Sequence, residues 1–199
     1  MTELSISGFS PGEKAQSPLS LRPYQVEKIA EARALMSQGK KSICLVSPTG
    51  SGKTVIAAHI LQSAINKGRR VLFLAHRREL IDQCAAKLRE LGIWDYNVVL
   101  SGHPHSRNPD APVQIASIQT LIRREYPPAD LICIDEAHHA ASGSYQTLLK
   151  NYPDAYVLGL TATPERLDGK GLDSIFHDLL NVATVPELVD SGFLVAPQC

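Results

Sequence analysis

The sequence predicts an α/β fold in which a parallel sheet is covered by helices on both faces. Short apolar runs alternate with helix-like segments, which is typical of right-handed βαβ units. The runs are apolar at every position, as expected for strands buried on both faces, instead of at every second position. Five such strands are predicted, at residues 43–46, 71–75, 113–116, 131–134 and 157–160.

The helices between these strands follow from apolar spacing and from breaker residues. A first helix is predicted from Pro23, which favours the first helical position, to the break at Gly39. Residues 1–18 are rich in Ser, Gly and Pro without a sustained period, so we expect a flexible segment before one domain at 19–199. The other predicted helices are 53–66, 77–91, 117–124, 143–150 and a short one after Val185.

The composition excludes several classes of protein. Lys plus Arg and Asp plus Glu both number 20, so no overall field attracts nucleic acid or a membrane, and any such contact must be local. The four cysteines form no CxxC pair, which argues against a zinc site or a disulfide framework. No apolar run is long enough to span a membrane, and the N-terminus has no signal-peptide pattern, so we expect a cytoplasmic protein.

The segment 47–54 predicts a phosphate-binding loop because it follows a predicted strand and begins a predicted helix. Its glycines let backbone N–H groups surround an anion, Lys53 adds a positive charge, and the Thr54 hydroxyl suits a magnesium ion. Ser47 stands where the general pattern has its first glycine. An ordinary Gly-rich turn is the alternative. The residues expected to bind ATP here are Pro48, Thr49, Gly50, Ser51, Gly52, Lys53 and Thr54.

Two adjacent carboxylates follow the strand at 131–134, at the edge of the sheet where ligands bind. Asp135 is expected to hold Mg²⁺, and Glu136 to share that ion and to act as the general base for the attacking water. His138 is expected to couple the site to motion. The alternative is an acidic pair that only stabilises a helix N-terminus.

These two segments resemble the Walker A and Walker B motifs of a known family. Residues 50–54 and the Asp-Glu-Ala-His sequence at 135–138 are similar to the first RecA-like domain of superfamily 2 DEAD/DEAH-box helicases. The resemblance covers about residues 20–197 in the family's order. Residues 22–25 resemble the Q motif, 75–80 motif Ia, 161–163 motif III, and 158–166 the restriction-translocase and RadD-like DNA helicase branch.

The resemblance implies further roles at the nucleotide. Gln25 is expected to recognise adenine, whose N6 and N7 edge matches one amide group, with Tyr24 or Arg22 stacking on the base. A polar surface residue is the alternative for Gln25. Thr161 and Thr163 are implied to link the nucleotide state to the nucleic-acid surface, with two ordinary strand-end hydroxyls as the alternative.

Candidate nucleic-acid contacts lie at the same edge. Arg77 follows a predicted strand and belongs to the segment that resembles motif Ia, while Gln119 and Thr120 belong to a segment resembling a strand-gripping motif. A solvated helix face is the alternative, and it is favoured for Arg123 and Arg124. Such contacts would recognise the phosphate backbone without sequence specificity. The resemblance to the restriction-translocase and RadD-like branch implies DNA as the partner, with RNA possible.

The function implied is the ATP-binding lobe of an ATP-dependent DNA helicase or translocase. Such a motor has a second RecA-like lobe, and nothing after Thr163 resembles it, so we expect that lobe to be absent from this chain. Without its arginine finger, worth about 10³–10⁵ in rate, the lobe should be nearly inactive alone. The alternatives are an RNA helicase lobe, a small-molecule kinase, for which no acceptor lid is recognisable, and a non-catalytic nucleotide-dependent scaffold.

Overall fold

The computed structural model describes residues 21–105, 108–163, 172 and 175–194. They form a seven-stranded sheet, and every strand pair in it is parallel. The strand order is β3-β4-β2-β5-β6-β1-β7. The strands are β1 Ser42–Val46, β2 Val71–Ala75, β3 Tyr96–Val99, β4 Val113–Ser117, β5 Leu131–Asp135, β6 Tyr156–Thr161 and β7 Asp178–Asn181. The predicted α/β class is confirmed, whereas the segment 1–18 lies outside the described residues.

The helices agree with the sequence prediction at five of six positions. The described helices are α1 Pro23–Ser37, α2 Lys53–Asn66, α3 Arg78–Glu90, α4 Ile118–Leu121, α5 Gly143–Leu149 and α6 Val185–Asp190, with a 3-10 helix at Ala137–His139. The helix predicted at 117–124 was wrong in length. Ser117 pairs with β2 as the last residue of β4, which leaves a single helical turn.

The sheet separates two apolar clusters, and alternate residues of each strand enter opposite clusters. Ile43 and Leu45 pack on the side of α1, α2 and α3, while Cys44 and Val46 pack on the side of α4 and α5. Each residue of β1, β2, β4 and β5 is buried. Helices on both faces therefore explain why these strands are apolar throughout. None of the helices in the described ranges is long and apolar enough to cross a membrane.

The strand order places the predicted motifs beside one another. β6 lies between β1 and β5, so the loop after β1 and the acids after β5 emerge at the same edge. Val46 pairs with Thr161, and Asp135 pairs with Leu160. Thr161 therefore lies between the predicted phosphate loop and the acidic pair.

Candidate active site

The loop after β1 has the backbone conformation that a phosphate-binding loop requires. Gly50 and Gly52 have φ values of 84° and 83°, in the left-handed region that favours glycine. Gly52 is the N-cap of α2, so the unpaired N–H groups of the first helical turn surround the loop. The hydroxyls of Ser47 and Ser51 are buried without a hydrogen-bond partner among the described residues. These features suit an anion with several acceptor oxygens.

The Lys53 ammonium is directed into this loop. Its Nζ donates to the carbonyl oxygens of Ser47, at 2.6 Å, and Pro48, at 3.1 Å. Burial lowers the pKa of Lys53, while the negative charges of Glu136 and Asp135 act in the opposite direction. A triphosphate in the loop would provide the counter-charge that this half-buried ammonium lacks.

The two carboxylates differ in environment. Asp135 is 8% exposed, and its Oδ1 accepts a 2.9 Å hydrogen bond from the Glu136 N–H. The pKa of Asp135 is raised, mainly by burial and also by the negative charge of Glu136, although that hydrogen bond and the charges of Lys53 and His138 act in the opposite direction. Glu136 is more exposed and has φ 52° and ψ 55°, the only positive φ among the described non-glycine residues. Such a conformation costs about 1–3 kcal/mol, and it is typical of residues at functional sites.

The oxygen donors at this edge fit a magnesium ion. Thr54 lies in the first turn of α2, next to Lys53, whose charge interacts with those of Asp135 and Glu136. Mg²⁺ prefers oxygen ligands and is commonly bound by one or two carboxylates together with substrate phosphates. In the described ranges, no group of three or more His, Cys, Asp or Glu side chains could hold a metal alone.

His138 connects the acidic pair to the end of β6. Its Nδ1 lies 3.2 Å from Glu136 Oε2 and 3.4 Å from Thr161 Oγ1. Thr161 is fully buried, and its Oγ1 donates to the Thr163 carbonyl oxygen at 2.8 Å. The structure thus brings together the residues predicted to couple the site, although their role stays a prediction.

The residues of the predicted Q motif support the phosphate loop. Gln25 is 2% exposed, so the alternative of a polar surface residue was wrong. Its Nε2 donates to the Ser51 carbonyl at 3.1 Å, and its Oε1 accepts from the Arg22 N–H at 2.9 Å. Tyr24 Oη donates to the same Ser51 carbonyl at 2.5 Å. Recognition of adenine by Gln25 stays a prediction.

Phe193 and Leu194 belong to the surroundings of this site, and sequence reasoning did not place them there. The Arg22 guanidinium lies 4.3 Å from the centroid of the Phe193 ring, and the Tyr24 ring centroid lies 5.8 Å from it. A methyl group added at Gly50 would lie 3.1 Å from Leu194 Cδ2. These contacts join residues more than 140 positions apart in the chain, so no local sequence pattern signals them.

The candidate nucleic-acid residues lie beside the nucleotide site. Arg77 is the exposed N-cap of α3, directly after β2, and Gln119 is exposed in α4, directly after β4. Ala75 pairs with Ser117, so both segments leave the sheet at the same level. Thr120 is half-buried in the same turn as Gln119. The two segments follow the neighbouring strands β2 and β4, of which β2 adjoins β5. Contact with nucleic acid stays a prediction.

Replacing Gly52 with alanine should destabilise the protein more than replacing another glycine of positive φ. The new Cβ would collide with Gln25 Nε2, and Gln25 is held by two buried hydrogen bonds. We expect the free energy of unfolding to fall by about 2–4 kcal/mol, from backbone strain and disrupted hydrogen bonds. Urea denaturation followed by circular dichroism measures this loss.

Gly68→Ala is the matched control, since Gly68 has φ 71° and nothing within 4 Å of an added Cβ. Gly68→Ala has the unfavourable backbone conformation without the collision, so its free energy of unfolding should fall by only about 1 kcal/mol. Equal losses in the two variants would show that the contact between Gly52 and Gln25 has no energetic importance.

Asp135→Asn should stabilise the protein at neutral pH when Mg²⁺ and nucleotide are absent. The pKa of Asp135 is raised in the folded state, mainly by burial, so its stabilising contribution is present below its unfolded pKa and is lost as pH rises through the folded pKa. Asparagine removes the buried charge and keeps the oxygen that accepts from the Glu136 N–H. The Tm should rise by about 2–4 °C for each kcal/mol gained.

Thermal melting in EDTA across pH checks this effect. The difference between variant and wild type should disappear below about pH 3, where the carboxyl group is protonated in both folded and unfolded chains. Asp154→Asn is the control, because that side chain is 96% exposed and loses no buried charge. A variant less stable than wild type at pH 7 would contradict the prediction.

Comparison with known proteins agrees with this geometry. The family described as type III restriction enzyme, res subunit, matches residues 18–166. The DNA 3'-5' translocase XPB2 of Sulfurisphaera tokodaii is 32% identical over 184 residues, which cover 92% of this chain and 38% of that protein. The EcoAI type I restriction enzyme endonuclease subunit of Escherichia coli is 30% identical over 192 residues, covering 88% of this chain and 23% of the subunit.

A solved structure shows the same fold. The helicase domain of Pyrococcus furiosus Hef superposes with a TM-score of 0.68 at 26% identity, over 85% of this chain and 40% of that one. The chain spans about a third of the length of the first curated relatives it matches, between 28% and 32%. It therefore belongs to the family described as type III restriction enzyme, res subunit, and has the RecA-like ATP-binding fold of superfamily 2 helicases.

Proposed function

We propose that this chain is the ATP-binding lobe of an ATP-dependent DNA helicase or translocase of the cytoplasm. The observation that carries the proposal is the meeting of Lys53, Asp135 and Glu136 at one edge of the sheet, around a loop built for phosphate. One relative is a DNA translocase, which supports DNA as the partner. The complete motor would contain a second RecA-like lobe facing this edge.

The chemistry proposed is hydrolysis of ATP to ADP and phosphate. Loop N–H groups and the Lys53 ammonium would bind the β- and γ-phosphates. Thr54 and Asp135 would hold Mg²⁺, which would neutralise phosphate charge. Water attacks the γ-phosphorus, its proton passes to Glu136, and the bond to the bridging oxygen of ADP breaks. Gln25 forms hydrogen bonds with both Arg22 and Ser51, and these bonds hold the loop in the conformation that this step requires.

Nucleic acid would lie on the neighbouring part of the same edge. Arg77, Gln119 and Thr120 follow β2 and β4, and β2 adjoins β5 with its acidic pair. Backbone contacts of this kind do not depend on base sequence, which suits movement along a strand. The close placement of the two sites supports the proposal that nucleic acid stimulates hydrolysis.

Phosphate release from Mg-ATP tests the proposal. The two-lobe protein should release phosphate faster when single-stranded DNA is added. In this proposal the second lobe would supply the arginine finger, so the 199-residue chain alone should be slower by about 10³–10⁵. Stimulation by RNA alone would favour an RNA helicase lobe. Transfer of the γ-phosphate to a small molecule would favour a kinase, and binding of ATP without any turnover would favour a scaffold.

A further inference from the structure

Three histidine side chains connect the two proposed sites. His76 follows β2 and precedes Arg77, while His138 and His139 follow the acidic pair. The ring centroids of His76 and His139 lie 4.4 Å apart in an edge-on arrangement, and those of His139 and His138 lie 4.1 Å apart. We name His76, His139 and His138 the histidine bridge.

Each end of the bridge contacts a residue with a proposed role. Arg77 Nε donates to His76 Nε2 over 3.1 Å, and at the other end His138 Nδ1 lies 3.2 Å from Glu136 Oε2. Direct contacts therefore run without a gap from the proposed phosphate-binding guanidinium to the proposed general base. Coupling between sites needs such a packed chain, together with an element that has two arrangements.

Arg77 is the element with two arrangements, one bonded to His76 and one bonded to a nucleic-acid phosphate. Its side chain is exposed apart from the bond to His76, so a nucleic-acid phosphate can compete for the same guanidinium. The competition is unequal, because a charged phosphate accepts a stronger hydrogen bond than a neutral imidazole nitrogen. His76 Nδ1 is buried and has no partner among the described residues, so loss of the Arg77 bond leaves this ring free of hydrogen bonds.

The packing leaves room for the rings to move. A cavity of about 220 Å³ is lined by His76 and His139, and Gln119 and Tyr145 lie on its wall. Protein interiors are otherwise close-packed, so a space beside these two rings permits a shift that a filled core would prevent. Gln119, the second candidate nucleic-acid contact, borders the same space.

We propose that His76 and His139 are positioning residues, which transmit the engagement of Arg77 by a nucleic-acid phosphate to the orientation of Glu136 through His138. The inference rests on the proposed function. The inference concerns the rate stimulated by nucleic acid, because the histidine bridge begins at Arg77, the residue that a nucleic-acid phosphate would contact. Coupling of binding sites is reciprocal, so ATP must change DNA affinity by the factor by which DNA changes ATP affinity.

The test uses the two-lobe protein and a single-stranded DNA oligonucleotide. His76→Ala and His139→Ala should each lower the ratio of stimulated to basal kcat by about 5- to 10-fold, and should lower the ATP-induced change in DNA affinity. The double variant should be no worse than either single one, because both residues serve one connection. His139→Phe keeps a ring between His76 and His138 and should restore most of the stimulation.

His177→Ala is the matched control, since that histidine is exposed and absent from the bridge, and it should keep the wild-type ratio. Unchanged stimulation in both alanine variants would overturn the inference. Equal losses of basal and stimulated rate, without recovery in His139→Phe, would also overturn it, since they indicate only local support of Glu136. Absence of stimulation in the wild type would instead contradict the proposed function.

Discussion

Lys53→Ala is expected to reduce nucleic-acid-stimulated phosphate release by at least about 100-fold, as loss of one preorganised donor does in other active sites. Lys53 is the cation whose ammonium already bonds to two carbonyl oxygens of the phosphate loop. Alanine removes the charge that faces the triphosphate, so both ATP binding and transition-state stabilisation should weaken. Phosphate release and titration with a fluorescent ATP analogue measure the two effects separately.

The fold should survive this substitution. Lys53 is half-buried and desolvation lowers its pKa, so its removal relieves a charge that the surrounding protein does not fully compensate. Lys67→Ala is the matched control, because Lys67 is the exposed C-cap of the same helix. Unchanged hydrolysis in Lys53→Ala, with Lys67→Ala also active, would exclude the loop after β1 as the nucleotide site.

The central strands could be predicted because burial on both faces leaves a continuous apolar run. The same signal is missing at the two edge strands. β3 carries Asn97, whose Nδ2 donates to Gln114 Oε1 at 2.8 Å, so a polar pair replaces part of the apolar core. β7 begins with Asp178, ends with Asn181 and exposes Leu179. β7 has only one buried position, and β3 is buried throughout but includes a polar residue, so neither edge strand shows a continuous apolar run.

In the site, the features that could be predicted are local sequence motifs, and those that could not depend on contacts between distant parts of the chain. The loop at 47–54 and the acids at 135–136 are contiguous motifs whose chemistry follows from the residue types. The burial of Gln25 against Ser51 and the meeting of His76 with His139 depend on strand order. β2 and β5 are neighbours although 55 residues separate Ala75 from Leu131, and single-sequence patterns contain no register information over that distance.

The backbone of Glu136 differs from that of an ordinary helix-capping acid. A helix-capping acid needs only a short side chain near free N–H groups, and neither a left-handed φ nor a histidine partner is required. Here the 3-10 helix that follows has three residues, and the Glu136 side chain contacts His138. A purely structural acid would not need this strained conformation, which favours a functional role for Glu136.

Glu136→Gln should separate catalysis from binding. Glutamine keeps the shape of the side chain but accepts no proton from the attacking water, so the hydrolysis rate should fall by about 10²–10⁴. ATP affinity should stay the same or increase, because a negative charge near the phosphates has been removed. Single-turnover phosphate release and titration with the fluorescent ATP analogue measure the two quantities.

Glu125→Gln, at an exposed position outside the site, is the control for the loss of one carboxylate and should keep full activity. The two variants should differ in a measurable way. Lys53→Ala should lower both the ATP affinity and the hydrolysis rate, whereas Glu136→Gln should lower the hydrolysis rate alone. A Glu136→Gln protein that hydrolyses ATP at more than about a tenth of the wild-type rate would assign proton acceptance to another group. Because Asp135 is buried and its pKa is raised, Asp135 would be the next carboxylate to substitute in the same assay.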